Sequence, residues 1–141
     1  LQVLMPGETA APGTASGKTG VPLGQTAGTA FTVTVNAVDA EWNVVSTNDT
    51  VRLTSSDGSA VLPGDGALVD GTGAFEVTLK TAGAQTVTAT DVSNGGITPG
   101  TGTGTAVNAA VAEKLVLAVE PSGTATAGAL ASSSPETATA P

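Results

Sequence analysis

The sequence contains no cysteine and no histidine, and it has few basic residues. The missing residues exclude disulfides, thiolate nucleophiles, zinc sites of the usual kind and the commonest general base. The only cations are Lys18, Arg52, Lys80 and Lys114, against a formal net charge of −8. Because nucleic-acid binding needs clustered cations, nucleic acid is not expected as a partner, and an anionic membrane surface is disfavoured for the same reason.

Long apolar runs and aromatic side chains are also scarce. No run approaches the ~20 apolar residues of a membrane-spanning helix, so membrane insertion is not expected. Aromatic residues make up 2% of the chain, so the core must consist of Val, Leu and Ala, with Phe31, Phe75 and Trp42 as the only bulky side chains. The chain starts at Leu1 without a signal-peptide pattern, and we expect it to be a piece of a longer polypeptide.

Short Thr- and Val-rich runs separated by Gly and Pro make up most of the sequence. Apolar and polar residues alternate over residues 29–40, which predicts a central strand. Residues 73–80 and 84–91 alternate on either side of a Thr-Ala-Gly loop, and we expect them to form an antiparallel hairpin. Further short runs with strand character lie at residues 1–6, 21–23, 43–45, 50–54, 60–62, 67–69 and 105–111, where residues 50–54 continue the run at 43–45 or pair beside it, so not every run is a strand of its own. About seven antiparallel strands in one domain favour an all-β sandwich.

The C-terminal region repeats features of the N-terminus. The apolar positions Leu115, Leu117 and Val119 alternate as those of residues 1–5 do, and each run is followed by a proline. A second similarity, between residues 134–140 and 21–27, lies at nearly the same offset, which indicates a tandem repeat. Chance similarity between Thr-, Ala- and Pro-rich segments is the alternative interpretation.

The repeat divides the chain into one domain and part of another. Residues 1–112 are interpreted as a complete repeat, and residues 113–141 as the first strand and linker of a following, incomplete one. A segment this short cannot bury a core of its own. Residues 115–119 are therefore a candidate assembly strand, which could add to the sheet of a neighbouring domain in the same chain or in another copy.

A family pattern is carried by residues 27–35, 38–45, 70–75, 79–83, 86–89 and 114–121. In these segments the sequence resembles the tandem bacterial immunoglobulin-like repeats of large surface proteins, which are also similar to filamin repeats. Trp42 departs from the family pattern, since this turn position is often Gly in such repeats. The resemblance implies an immunoglobulin-like β-sandwich with a C-terminal extension, displayed outside the cell or at a bacterial cell surface, with neighbouring repeats or copies of itself as partners.

Oxygen-bearing side chains cluster around one predicted strand connection. Asp39, Glu41, Asn43 and Asp49 could supply the oxygen ligands that Ca²⁺ prefers. Their spacing matches no known calcium motif, and Asp and Asn also favour turns on backbone grounds. The two interpretations, a weak calcium site and a set of turn residues, stay open at this point; no other cofactor is expected.

Two single residues suggest contact with carbohydrate. Trp42 is the only tryptophan, and an exposed indole could stack on a sugar ring of a cell-surface glycan, although a lone Trp more often packs over the end of a sandwich. Asn48, in the triplet Asn-Asp-Thr, fits the pattern of an N-glycosylation acceptor, although such triplets are frequent by chance.

An enzymatic role is not expected. Glu76 and Lys80 alternate to the outer face of their strand, and the spacing of the acidic residues does not assemble the paired carboxylates that a glycosidase needs. A Lys-to-Asn crosslink, which occurs in some bacterial surface domains, would need Lys80 or Lys114 buried beside an Asn and an acid. The function expected from the sequence is a structural repeat of an extracellular fibre, sheath or adhesin, which acts as a spacer or assembles by strand addition; a carbohydrate- or calcium-binding surface module is the alternative.

Overall fold

The computed structural model describes residues 1–111. Residues 1–110 form one compact unit, and this unit is an all-β sandwich. Its described part contains twelve strands and no helix, so no helix there is long and apolar enough to cross a membrane. The strands are β1 (Gln2–Leu4), β2 (Glu8–Ala10), β3 (Lys18–Gly20), β4 (Gln25–Thr26), β5 (Ala30–Asn36), β6 (Thr50–Ser55), β7 (Gly66–Ala67), β8 (Thr72–Thr78), β9 (Gly83–Gln85), β10 (Val87–Asp91), β11 (Gly100–Thr101) and β12 (Thr105–Asn108).

The longest ladder joins β5 to β8 in the three-stranded sheet β1-β5-β8, which is antiparallel throughout. A second sheet has the order β11-β10-β6-β7, and a third has the order β4-β12-β9. Thr86 alone separates β9 from β10, so residues 83–91 run without a turn from the third sheet into the second. Strands β2 and β3 form a separate hairpin.

Alternating apolar residues build the core because successive side chains of a strand point to opposite faces. In β5 the side chains of Phe31, Val33 and Val35 are buried, as the sequence predicts, and in β10 those of Val87 and Ala89 are buried. Each large apolar side chain that leaves water stabilises the fold by ~1.5–3 kcal/mol before the entropy cost is counted. The core consists of Val3, Met5, Phe31, Val33, Val35, Ala37, Val51, Leu53, Leu68, Val77, Leu79, Val87, Ala89 and Val107.

The predicted hairpin of residues 73–80 and 84–91 is wrong. Strand β8 pairs with β5, whereas β10 pairs with β6 and β11 in a different sheet. The connection crosses between the sheets, and Asp57 holds it by accepting hydrogen bonds from the backbone N–H groups of Lys80 (2.7 Å) and Thr81 (2.9 Å). Alternation defines which face of a strand is buried, but it does not define which strand lies beside it.

Several shorter strand predictions also differ from the structure. Residues 21–23 form no strand, and Val21 and Leu23 are exposed; the chain instead forms β2, β3 and β4 on either side of them. Residues 43–45 and 60–62 contribute only isolated bridges. Each of these segments is only three residues long, which is too short for hydrophobic alternation to carry much information.

The all-β sandwich predicted from the sequence is confirmed, and the strand pairing is consistent with an immunoglobulin-like arrangement. The described residues contain twelve strands rather than about seven, because several ladders are only two or three residues long. One pair, β4 with β12, is parallel rather than antiparallel. The assembly strand predicted at residues 115–119 lies outside the described residues.

Candidate functional site

A groove of about 630 Å³ opens at the end of the sandwich where β1 begins, hereafter the Trp42 end. Its walls are formed by residues 1–3 at the start of β1, by the loop at residues 38–42 and by residues 96–101, which lead into β11. Apolar and polar side chains share the lining, among them Trp42, Val38, Ile97, Pro99, Lys18 and Asp39. Such a mixture suits a ligand with both hydroxyl groups and apolar faces.

Trp42 lies at the tip of a tight loop that begins and ends at the bridge between Val38 and Val44. Its φ angle is 71°, a left-handed conformation that suits Gly and costs other residues ~1–3 kcal/mol. The indole is half-buried and packs directly on the backbone of Gly17, where a Cβ would lie 2.2 Å from the ring carbon Cδ2. Trp42 therefore lies in a turn, the kind of position that the family resemblance implies for it, and this strained residue lines the groove.

A buried polar network supports the Gly17 segment under the indole. The Gln2 amide donates to the Gly17 carbonyl (2.9 Å), and the Asn36 amide donates to Gln2 Oε1 (3.3 Å). The hydroxyl of Thr72 donates to Asn36 Oδ1 (2.7 Å) and so extends the network to β8. Sequence reasoning missed this network, since a polar residue at a strand end usually points to solvent.

Asp39 organises the turn rather than a metal site. Its Oδ1 accepts the backbone N–H groups of Glu41 and Asn43, both at 2.9 Å, and the Asn43 amide donates to its Oδ2 (3.2 Å). These bonds, first among them the one from Asn43 N–H, hold the pKa of Asp39 below its ordinary value. The structure brings Asp39, Glu41 and Asn43 into one turn, with Asp39 in the backbone role that the turn interpretation gives it.

Asp49 instead lies beside Asp91, at the point where β6 begins and β10 ends. Asp91 is opposite Val51 in the ladder, and its Oδ1 accepts the N–H groups of Ser93 (2.9 Å) and Asn94 (2.8 Å). Its Oδ2 is buried and has no hydrogen-bond partner among the described residues. The pKa of Asp49 is raised because its carboxyl contacts that of Asp91. Within residues 1–111 no group of three or more His, Cys, Asp or Glu side chains could hold a metal ion.

The sequence did not predict the Asp49–Asp91 pair. The two residues are far apart in the chain, and only the pairing of β6 with β10 brings them together. The available signal was weak: one Asp immediately before a predicted strand and one at the last position of another.

The remaining candidates among the described residues lie on the surface. Asn48 is exposed, and its Oδ1 accepts the backbone N–H of Asp70 (3.2 Å); its glycosylation stays a prediction. Glu76 and Lys80 are exposed, so Lys80 lacks the burial that a crosslink requires. Lys114, Leu115, Leu117 and Val119 lie outside the described residues.

No family model, no curated protein and no solved structure matches the chain.

Proposed function

We propose that the chain is a structural repeat, a spacer that lies in line in an extended extracellular fibre, sheath or adhesin. The positions of its two ends carry this proposal. Strand β1 begins beside Asn36, the last residue of β5. Strand β12 ends at Asn108, whose carbonyl accepts the N–H of Ala27 (2.8 Å), three residues before β5 starts at Ala30. The seven residues of β5 therefore separate the two ends by about 20 Å.

Chain ends on opposite sides of a domain suit a repeat that transmits tension along a polypeptide. Force applied at the two ends would act on β1 and β12, whose ladder hydrogen bonds lie across the strands. The bonds that hold β12 to β4 and β9 would then have to break together, and so would those between β1 and β5. A strand whose hydrogen bonds must break together resists extension more strongly than one whose hydrogen bonds break one after another.

Single-molecule force spectroscopy on linked copies of the full chain tests the proposal. Each copy should unfold as a discrete event at a reproducible force. Ala27→Pro removes the N–H that bonds to Asn108 and should lower that force with a small change in Tm. As the matched control, Leu53→Ala in the core should cost ~2–5 kcal/mol of thermal stability and change the force less. Extension of the wild-type chain without force peaks would contradict the spacer function.

A second candidate function, binding of a surface glycan, is favoured by the groove at the Trp42 end. A half-buried indole can stack on a sugar ring, while Asp39 and Lys18 in the same lining offer polar contacts. Trp42 is the only tryptophan of the chain, so its fluorescence reports on the groove alone. A saturable change of emission with one member of an oligosaccharide panel is expected for this function, and flat titrations across the panel would exclude it.

A further inference from the structure

The carboxyls of Asp49 and Asp91 come together on one side of the β6–β10 ladder, because Asp91 is opposite Val51 and Asp49 precedes Val51 by two residues. Asp91 is 5% exposed, and its Oδ1 already accepts two backbone N–H groups, whereas its Oδ2 is buried without a partner. The neighbouring carboxyl of Asp49 is itself an acceptor when ionised. A buried acceptor facing another acceptor is costly unless a proton or a metal ion lies between them.

The basic side chains of the described residues do not supply this charge. Lys18 pairs with Glu8 (3.1 Å) and Arg52 with Asp65 (2.8 Å), and Lys80, the third basic side chain of the described residues, is exposed and forms no ion pair with either carboxyl. The N-terminal ammonium of Leu1 interacts electrostatically with Asp91, but its hydrogen bond goes to the carbonyl of Thr98. The pair is therefore open to an external cation.

We propose that Asp49 and Asp91 bind a calcium ion between the start of β6 and the end of β10. Calcium prefers carboxylate oxygens, accepts irregular geometry and completes its coordination with carbonyl oxygens and water. Two carboxylates are few for a calcium site, so the affinity should lie in the range of extracellular modules, with Kd ~10⁻⁴–10⁻³ M. This inference does not depend on the spacer function, because the site belongs to the fold whatever the fold carries.

Thermal unfolding of the full chain in CaCl₂ at constant ionic strength tests the site. Wild-type Tm should rise with calcium and keep rising with the logarithm of its concentration above Kd, as linkage requires. Isothermal titration with CaCl₂ should give one ion per chain. Asp49→Asn and Asp91→Asn should each lower the affinity at least ~10-fold, since each removes one of two charged ligands.

In the absence of calcium, the effect of an Asn variant on Tm should have the opposite sign. In Asp91→Asn an amide N–H₂ can replace the partnerless Oδ2 and donate to Asp49, so the calcium-free Tm should rise above that of the wild type. If Asp91→Asn fails to fold, Asp49→Asn at the half-buried partner carries the same test. Asp39→Asn is the matched control, and it should keep the full calcium response because Asp39 serves its own turn.

Three results would overturn the proposal. The first is a wild-type Tm that does not respond to CaCl₂. The second is a response that Asp39→Asn abolishes and Asp49→Asn retains, which would place the ion in the turn at residues 39–43. The third is a Tm that rises on mild acidification with no response to calcium, which would mean that the two carboxyls share only a proton.

Discussion

Individual aspartates in this chain differ in the donors that surround them. Asp57 is buried and accepts hydrogen bonds from the N–H groups of Lys80, Thr81 and Ser59 and from the Thr81 hydroxyl. These bonds, that from Lys80 first, hold the pKa of Asp57 well below its ordinary value. Asp91 has fewer donors and one partnerless oxygen. Aspartate therefore has two roles here. Asp57 fixes a strand connection at one end of the sandwich, whereas Asp91 at the other end has a buried carboxylate oxygen without a hydrogen-bond partner among the described residues.

Asp57→Asn tests the first of these roles. The amide cannot accept all the bonds that the carboxylate accepts, so Tm at pH 7 should fall by several degrees. Because the folded-state pKa is depressed, the stabilisation by Asp57 is fully present above its unfolded pKa of about 3.9 and is lost as pH falls below it. The difference in Tm between wild type and variant, measured by circular dichroism, should therefore narrow below about pH 4. A difference that stays constant down to pH 2 would contradict this account.

A comparison of Gly17→Ala with Gly13→Ala distinguishes the cost of backbone strain from the cost of disturbing the packing of Trp42. Both glycines have left-handed φ angles, 78° and 81°. A Cβ at Gly13 meets no atom within 4 Å, so only a strain of about 1 kcal/mol is expected there. A Cβ at Gly17 meets the indole at 2.2 Å, which should cost a further ~1–3 kcal/mol and shift the Trp42 emission. Equal losses in urea unfolding would show that the indole does not rest on Gly17.

At the scale of strands, alternation predicted burial well and pairing poorly. Strand β5 and strand β6 appear close to their predicted positions, with Val33, Val35 and Val51 buried. The hairpin prediction failed because loop length suggested a turn, whereas Asp57 and the buried Leu79 carry the chain across to the other sheet. The Asp49–Asp91 pair depends on that same pairing, so residue types alone could not predict it.

Engineered cysteines test this topology directly, because the chain has no cysteine of its own. Thr54 and Thr88 are partners in the ladder between β6 and β10, at a separation that a disulfide can span. The pair Thr54→Cys with Thr88→Cys should lose both free thiols on mild oxidation. The pair Glu76→Cys with Thr88→Cys, which the predicted hairpin would bring together, should keep both, since Glu76 faces Thr32 in another sheet. A thiol titration with the reverse result, free thiols in the first pair and none in the second, would support the predicted hairpin instead.

At the scale of the whole molecule, charge and end geometry both favour a chain that stays apart from its copies. The net charge is −8 with only four cations, so copies repel one another at neutral pH and low salt. The described domain has its two ends on opposite sides, which suits connection in series within one polypeptide. Assembly between separate chains would need a donor segment, for which residues 115–119 are the sequence candidate.

Light-scattering mass against concentration distinguishes the spacer from the assembling subunit. For the spacer, the full chain and a truncation at residue 112 should both stay monomeric. They should remain so in ~0.5 M salt, where a Debye length of a few ångströms removes the repulsion between acidic copies. If only the full chain gains mass with concentration, a segment after residue 112 joins one copy to the next. Replacement of Leu117 with Pro, which cannot donate to a ladder, should then return the full chain to monomer. That outcome would replace the in-line spacer with a fibre subunit that assembles by strand addition.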